Sequence, residues 1–171
     1  MRFKLGGAYN VSADEFWSDV FFVPEFVEAL HLDGLEYKRI EVIEDSVDSN
    51  GARERILLAY PSFEVPRPLR RVLGDEIHYR EVGSFDPDRR VWSTQTTLPR
   101  LGDKLHVKTD MSFTDVGPGR SRRSVDFEVR VKIFGLGRIL ESFVKRTTTD
   151  AYEQARVFTN AWTDTHIRNK R

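Results

Sequence analysis

Residues 104–134 read KLHVKTDMSFTDVGPGRSRRSVDFEVRVKIF, and residues 137–166 read GRILESFVKRTTTDAYEQARVFTNAWTDTH. In the first stretch, apolar residues take alternate positions over 105–113 and again over 125–133. Side chains of a strand point alternately to its two faces, so each run predicts a strand with one apolar face. In the second stretch apolar residues recur every three or four positions, the period of a helix. An antiparallel sheet with one apolar face needs a covering layer, and this helix, about 45 Å long, is the only large element available.

The rest of the chain completes the pattern outward from this stretch. The predicted strands are residues 2–11, 35–44, 53–60, 75–84, 90–98, 104–114 and 122–134. Ser12 and Glu15 form a capping-box pattern that predicts a short helix, and Pro24 opens a second one. The apolar phase slips between Tyr37 and Ile40, which predicts a bulge. We therefore predict an α+β fold, in which a seven-stranded antiparallel curved sheet grips a long C-terminal helix and two short helices follow the first strand. No repeat or linker divides the chain, so we expect a single domain over residues 1–171.

Composition excludes several functional classes. The 27 basic and 27 acidic residues cancel, which gives no general attraction to nucleic acid, and none is expected as a partner. The absence of Cys rules out disulfides, thiolate nucleophiles and Cys-ligated metals. No apolar run is long enough for a membrane span, and Met1-Arg2-Phe3-Lys4 leads into a strand rather than a signal core, so we expect a cytoplasmic protein.

The histidines give no sign of a metal site. His31, His78, His106 and His166 are scattered along the chain and lack metal-ligand spacing. We expect neither a metal nor a cofactor.

The predicted layers leave room between them. Seven strands make a sheet roughly 30 Å wide, whereas a helix with its side chains is about 10–12 Å across. The middle of the closing helix carries Thr147, Thr148, Ala151 and Ala155, which are small. This favours a hollow interior, although small residues would also permit close contact between the helix and bulky strand residues.

The side chains expected to line this space are mostly aromatic. The predicted ligand-binding residues are Phe22, Phe26, Trp92, Phe113, Phe127, Phe143, Thr147, Ala151 and Tyr152. The strand that holds Trp92 also holds Thr94 and Thr96 and has few aliphatic residues, so it lines a partly polar cavity or forms an exposed edge of the sheet.

The order of elements resembles the START-like, or helix-grip, superfamily. The residues that carry the resemblance are 9–16 (YNVSADEF), 65–74 (VPRPLRRVLG) and 134–141 (FGLGRILE). Members include lipid-transfer domains, pollen allergens, polyketide cyclases and coenzyme-Q-binding proteins, and the chain looks closest to a bacterial family of unknown function. The resemblance spans the whole chain and implies a hydrophobic molecule bound between sheet and helix. No catalytic motif of the superfamily maps onto these residues, so no residue is assigned a catalytic role.

Three functions remain open at this point. The first is non-catalytic binding or transport of a hydrophobic small molecule, such as a lipid or isoprenoid, and we consider an enzyme less favoured. The second is an enzyme of the polyketide cyclase or dehydratase kind that uses Tyr79, His78 or an inward Arg as acid or base. The third is a protein–protein adaptor with a filled core.

Basic clusters have two interpretations. Arg67, Arg70 and Arg71 lie on a predicted short helix beside apolar residues, and they either touch an anionic membrane transiently or face water on a lid over the cavity. Two further clusters are expected to be solubilising charges: Arg120, Arg122 and Arg123, and Arg168, Lys170 and Arg171.

Overall fold

The computed structural model describes residues 1–168, so Lys170 and Arg171 of the predicted tail cluster lie outside the described residues. Within that range, seven strands form one antiparallel sheet in the order β1-β7-β6-β5-β4-β3-β2. The strands are β1 (Arg2–Tyr9), β2 (Arg39–Val47), β3 (Arg53–Tyr60), β4 (Tyr79–Asp86), β5 (Val91–Thr97), β6 (Leu105–Gly117) and β7 (Arg120–Val131). Every pair of strands that is consecutive from β2 to β7 is hydrogen-bonded, which is the predicted meander.

Four helices complete the described fold. They are α1 (Ala13–Glu15), α2 (Pro24–Ala29), α3 (Arg70–Leu73) and α4 (Gly137–His166). Helix α1 continues as a π-helical segment over Phe16–Phe21, and α2 does so over Leu30–Gly34. A 3₁₀ turn over Arg67–Leu69 precedes α3, and another over Gly102–Lys104 precedes β6. The predicted fold class is confirmed. In the part of the chain that is described, no helix is long and apolar enough to cross a membrane.

Local sequence explains where the short helices begin. The Ser12 hydroxyl accepts a hydrogen bond from the amide of Glu15 at 3.3 Å, and the Glu15 carboxylate accepts one from the amide of Ser12 at 3.3 Å. This capping box satisfies amides that have no partner within the helix. Pro24 takes the first turn of α2, where its missing N–H costs nothing.

The first part of the predicted second strand is not a strand, and the predicted bulge is misplaced. The amide of Tyr37 donates to the carbonyl of His31, so residue 37 is tied back to the helical segment that ends at Gly34 and does not pair in the sheet. Pairing with β3 begins only at residue 38, and β2 begins at Arg39. The register shift lies between Val42 and Glu44.

One end of the interior is solid. The short segment after α1 packs Phe16 and Trp17 against Phe113 of β6, and the Phe16 and Phe113 rings stack with centroids 3.9 Å apart. Tyr9 joins them edge-on, 5.2 Å from Phe113. These aromatic side chains fill the space beneath the short helices and leave the rest of the concave face to α4.

The C-terminal part of α4 is anchored to the short helices. Trp162 lies edge-on to Phe26 of α2 with centroids 5.5 Å apart. Phe158 lies over Gly34, where a β-carbon would come within 2.7 Å of its ring, so only glycine permits this approach. The amide of Asn10 donates to the side chain of Asn160 at 2.8 Å. Together these contacts hold α4 across the sheet.

Candidate ligand cavity

The interior between α4 and the sheet is hollow. It contains two adjoining chambers. In each of them, the centre of a water molecule can occupy a volume of about 140 Å³. Both chambers are lined by Tyr37, Tyr79, Glu81, Thr94, Ala151 and Tyr152. We call the chamber beside α3 and the start of α4 the first chamber, and the chamber beside α2 and β3 the second chamber.

The first chamber is mainly apolar. Its walls include Leu73 from α3, Val107 and Phe127 from the sheet, and Leu140 and Phe143 from α4. Its polar groups are mostly hydroxyls, and two of these satisfy each other: Thr94 and Thr109 are hydrogen-bonded at 2.7 Å across β5 and β6. Such a chamber can take up a hydrocarbon or aromatic skeleton.

The second chamber holds charged groups. Arg55 comes from β3, Glu81 from β4 and Arg123 from β7. The two arginines lie on the concave face because alternate residues of a strand face the same side. Arg55 lies two residues before the buried Leu57, and Arg123 lies two residues before the buried Val125. The two arginines therefore lie at one end of the interior, whereas Glu81 borders both chambers.

Arg55 is 4% exposed. One guanidinium nitrogen, Nη1, donates to the carbonyl of Phe21 at 3.2 Å, and the guanidinium carbon lies 4.8 Å from the centre of the Phe21 ring and 5.1 Å from that of Trp92. Its Nε has no partner among the described residues. Burial lowers the pKa of Arg55, but the guanidinium remains charged because its ordinary pKa is so high.

Arg123 is 6% exposed, so the expectation that it is a solubilising charge is wrong. It lies between the rings of Tyr9 and Tyr152, at 5.0 and 4.5 Å, and donates to the carbonyl of Tyr152 at 3.0 Å. Its Nε also lacks a described partner. Arg122, its neighbour in sequence, faces water because strand side chains alternate.

Glu81 is the carboxylate of the cavity. It lies opposite Leu57 and Thr96, and its remaining exposed surface faces the two chambers. Burial raises the pKa of Glu81, an effect that the nearby charge of Arg55 opposes. Within the described residues its side chain makes no hydrogen bond or ion pair, so its carboxyl oxygens are available to a ligand.

The other ionisable groups of the cavity are neutral at ordinary pH. The hydroxyls of Tyr37 and Tyr79 are 3.2 Å apart, and burial raises the pKa of Tyr37 to about 12 and that of Tyr79 well above its usual value. Burial likewise raises the pKa of Tyr152. Burial lowers the pKa of His31 to about 4, and its neutral ring contacts the carbonyl of Val27 through Nδ1 at 2.7 Å. These groups can donate or accept hydrogen bonds, but the phenols do not serve as bases.

The structure brings together seven of the nine predicted lining residues. Those that line the chambers are Phe26, Trp92, Phe127, Phe143, Thr147, Ala151 and Tyr152. Phe22 lies outside the chambers and packs against Phe85, and Phe113 belongs to the solid aromatic end. A ligand-binding role for the nine stays a prediction.

The two interpretations of the threonine-rich strand now separate. β5 lies in the middle of the sheet and not at an edge, and Thr94 and Thr96 line the first chamber.

The candidate acids and bases also fall in different places. Tyr79 points into the cavity, whereas His78 is exposed and stacks on Tyr60 with centroids 5.5 Å apart. Among residues 1–168, no group of three or more His, Asp or Glu side chains could hold a metal ion.

Sequence reasoning missed the three charged residues of the cavity. For Arg55 and Arg123 a signal exists, because each falls on the same parity as the buried residues of its strand. For Glu81 the signal is weak. Its neighbours on the same face of the strand, Tyr79 and Gly83, do not identify that face as the buried face. Gly83 itself marks a close approach: the ring of Trp92 lies where a β-carbon would be.

Helix α3 has the geometry of a lid. Leu69 and Leu73 are buried and Leu73 lines the first chamber, while Arg67, Arg70 and Arg71 are exposed. Contact of these arginines with a membrane stays a prediction.

Comparison with solved structures confirms the predicted START-like, helix-grip resemblance. The Zhui aromatase/cyclase from a Streptomyces species is 15% identical, with a TM-score of 0.67 over 97% of this chain and 96% of that chain. Norcoclaurine synthase from Thalictrum flavum, in complex with dopamine and hydroxybenzaldehyde, is 18% identical, with a TM-score of 0.60 over 92% and 86%. A START superfamily protein from Mycobacterium smegmatis is 17% identical, with a TM-score of 0.55 over 90% and 92%.

At these identities the likeness concerns the fold alone. No curated protein matches the sequence at a significant level. A family model does match, over residues 7–163, and the chain therefore belongs to the family described as protein of unknown function, DUF2505.

Proposed function

We propose that the protein binds a hydrophobic small molecule, in the lipid or isoprenoid range, between its sheet and α4, and that it acts as a binder or carrier rather than as an enzyme. The observation that carries this proposal is the hollow interior, whose first chamber is walled by aliphatic and aromatic side chains. Transfer of apolar surface from water contributes about 25 cal/mol per Å², so about 200 Å² of ligand carbon would contribute about 5 kcal/mol.

Proteins of the same fold support this proposal. The norcoclaurine synthase structure holds dopamine and hydroxybenzaldehyde, both small aromatic molecules. The adaptor alternative is less well supported, because it required a filled core.

Native mass spectrometry tests the proposal. The protein, purified gently from its own host, should carry a small molecule that organic extraction releases, and the emptied protein should bind 1-decanol in calorimetry. Absence of any extracted molecule, together with no heat of binding for decanol, would overturn the proposal.

A second candidate is an enzyme of the cyclase or dehydratase kind. It is favoured by Glu81, a carboxyl that faces the cavity and whose pKa is raised by burial toward the range useful for proton transfer. Glu81, rather than His78, would then give or take the proton. Incubation with a poly-β-ketone thioester should yield a cyclised product, and Glu81→Gln should slow this reaction at least 100-fold. Turnover that is unchanged in the variant would exclude this role.

A further inference from the structure

Two buried arginines in the second chamber form no ion pair at contact distance with a described residue. Arg55 and Arg123 are 4% and 6% exposed, and neither forms an ion pair with a described residue. Asp45, the acid on the strand next to Arg55, pairs instead with Arg53 at 2.6 Å. Removing a charge from water costs free energy unless the charge is paired, so these two arginines require a negatively charged partner.

The contacts that these arginines make leave several of their N–H hydrogen-bond donors unused. A guanidinium offers five N–H donors. Each arginine gives one hydrogen bond to a backbone carbonyl and lies against aromatic rings, and the Nε of each has no described partner. Aromatic rings lower the cost of burial, but they do not use these donors.

Charge in the chamber does not balance. Among the described lining residues the only acid is Glu81, against two arginines, and His31 is neutral. With Glu81 ionised the lining carries a net charge of +1, which one anionic group would neutralise. The tyrosine hydroxyls on the shared wall can hydrogen-bond the same group.

We infer that the second chamber binds the acidic head group of the ligand, and that this ligand is a hydrophobic monocarboxylic acid whose carbon skeleton lies in the first chamber. The inference rests on the proposed function and narrows it, because it names the ligand class. Arg55 and Arg123 contribute charge from strands β3 and β7 on opposite sides of the chamber, and Glu81 limits the site to a single negative charge.

The test compares decanoate with 1-decanol by calorimetry at pH 8, where decanoate is ionised. Decanoate should bind the emptied protein at least tenfold more tightly than decanol. Arg55→Gln and Arg123→Gln should each weaken decanoate at least tenfold and decanol less than threefold. Arg122→Gln is the matched control, because it removes an exposed arginine from the same strand, and it should change neither affinity.

Glu81→Gln gives a readout that does not depend on the arginine variants folding. It removes the negative charge beside the head group and preserves the shape of the side chain, so decanoate should bind severalfold more tightly, whereas the affinity for decanol should change less than threefold. Weaker decanoate binding in this variant would overturn the inference.

The remaining outcomes separate the two proposals. If decanoate and decanol bind the wild-type protein equally, the acidic head group is wrong and the hydrophobic cavity stands. If the preference for decanoate persists without the arginines, their assignment to the head group is wrong and the inference fails. If neither molecule binds and organic extraction releases no small molecule, both the inference and the proposed function fail.

Discussion

The carboxyl group of Glu81 makes stability depend on pH. Burial raises its pKa in the folded protein, with Arg55 opposing the shift, and Tyr37, Tyr79 and Tyr152 are the other titratable groups facing it. A folded-state pKa above the unfolded value means that the native state binds the proton more tightly. Stability is therefore lost as pH rises from the unfolded pKa through the folded one.

Glu81→Gln should remove this loss. The variant should match the wild type in stability below about pH 4, where the carboxyl is protonated in both states, and should be more stable than the wild type at pH 8, where the carboxyl is ionised in the unfolded state. Urea unfolding at the two pH values measures the difference. A variant that differs from the wild type equally at both pH values would show that folding does not shift the pKa of Glu81.

Thr94 and Thr109 form a buried hydrogen bond that can be dissected with isosteric changes. Thr94→Val leaves the Thr109 hydroxyl without its partner and should cost about 1–2 kcal/mol, whereas Thr94→Val with Thr109→Val should lie within about 0.5 kcal/mol of the wild type. A denaturant-based double-mutant cycle measures this. Additive losses would mean that the two hydroxyls do not depend on each other.

The middle of α4 keeps the cavity open. Ala151 lines both chambers, so the longer side chain of Ala151→Leu would occupy space that a ligand needs. The free energy of unfolding should stay within about 1 kcal/mol of the wild type, because filling a hollow is tolerated better than overpacking a dense core. Decanol affinity should fall at least tenfold, or about 1.4 kcal/mol.

Ala161→Leu serves as the control for this change. Ala161 is exposed on the same helix, so its replacement adds the same atoms away from the cavity and should leave binding unchanged. Equal binding by all three proteins, measured by calorimetry, would place the ligand elsewhere.

Patterns within single elements explain how much of the fold could be predicted. The predicted bounds 53–60 and 137–166 coincide with β3 and α4, because periodicity of two and of 3.6 is clear in both. The start of β2 was misjudged because Tyr37, an aromatic residue common in strands, hydrogen-bonds back to a helical carbonyl instead. Strand propensity alone cannot detect a hydrogen bond that depends on the tertiary structure.

The candidate site was predicted less completely than the fold, because charged residues in a sequence are ordinarily assigned to the solvent-exposed surface. Arg55 and Arg123 break that rule on strands whose parity was readable. Their burial depends on rings from Phe21, Trp92, Tyr9 and Tyr152, which come from four separate parts of the chain. Only the assembled sheet brings those rings together.

The interior of the molecule has a solid end and a hollow part. Aromatic residues beneath the short helices form a solid end, and α4 spans the remaining face without filling it. The proposed carrier function requires a route by which a ligand can enter the hollow part.

We expect the ligand to enter beside α3, whose Leu73 lines the first chamber. Phe134 is fully exposed, and Ile139 of α4 is 42% exposed. A groove between Pro66 and α4 is lined by Ile139 together with Arg138 and Arg146. Arg67, Arg70 and Arg71 are exposed on the lid itself. A surface that combines arginines with exposed apolar side chains is suited to an anionic bilayer.

We expect the protein to bind vesicles that contain phosphatidylserine more tightly than neutral phosphatidylcholine vesicles in a flotation assay. Each arginine near such a surface contributes about 1 kcal/mol, so replacing Arg67, Arg70 and Arg71 with Gln should weaken binding on the order of 100-fold. Phe134→Ser should weaken binding to both kinds of vesicle. Val47→Ser is the control, since Val47 is also an exposed apolar side chain, 63% exposed, but lies on edge strand β2. Equal binding to the two vesicle types would mean that the arginines of the lid face only water, and no binding to either type would mean that neither their charge nor the exposed ring of Phe134 brings the protein to a bilayer.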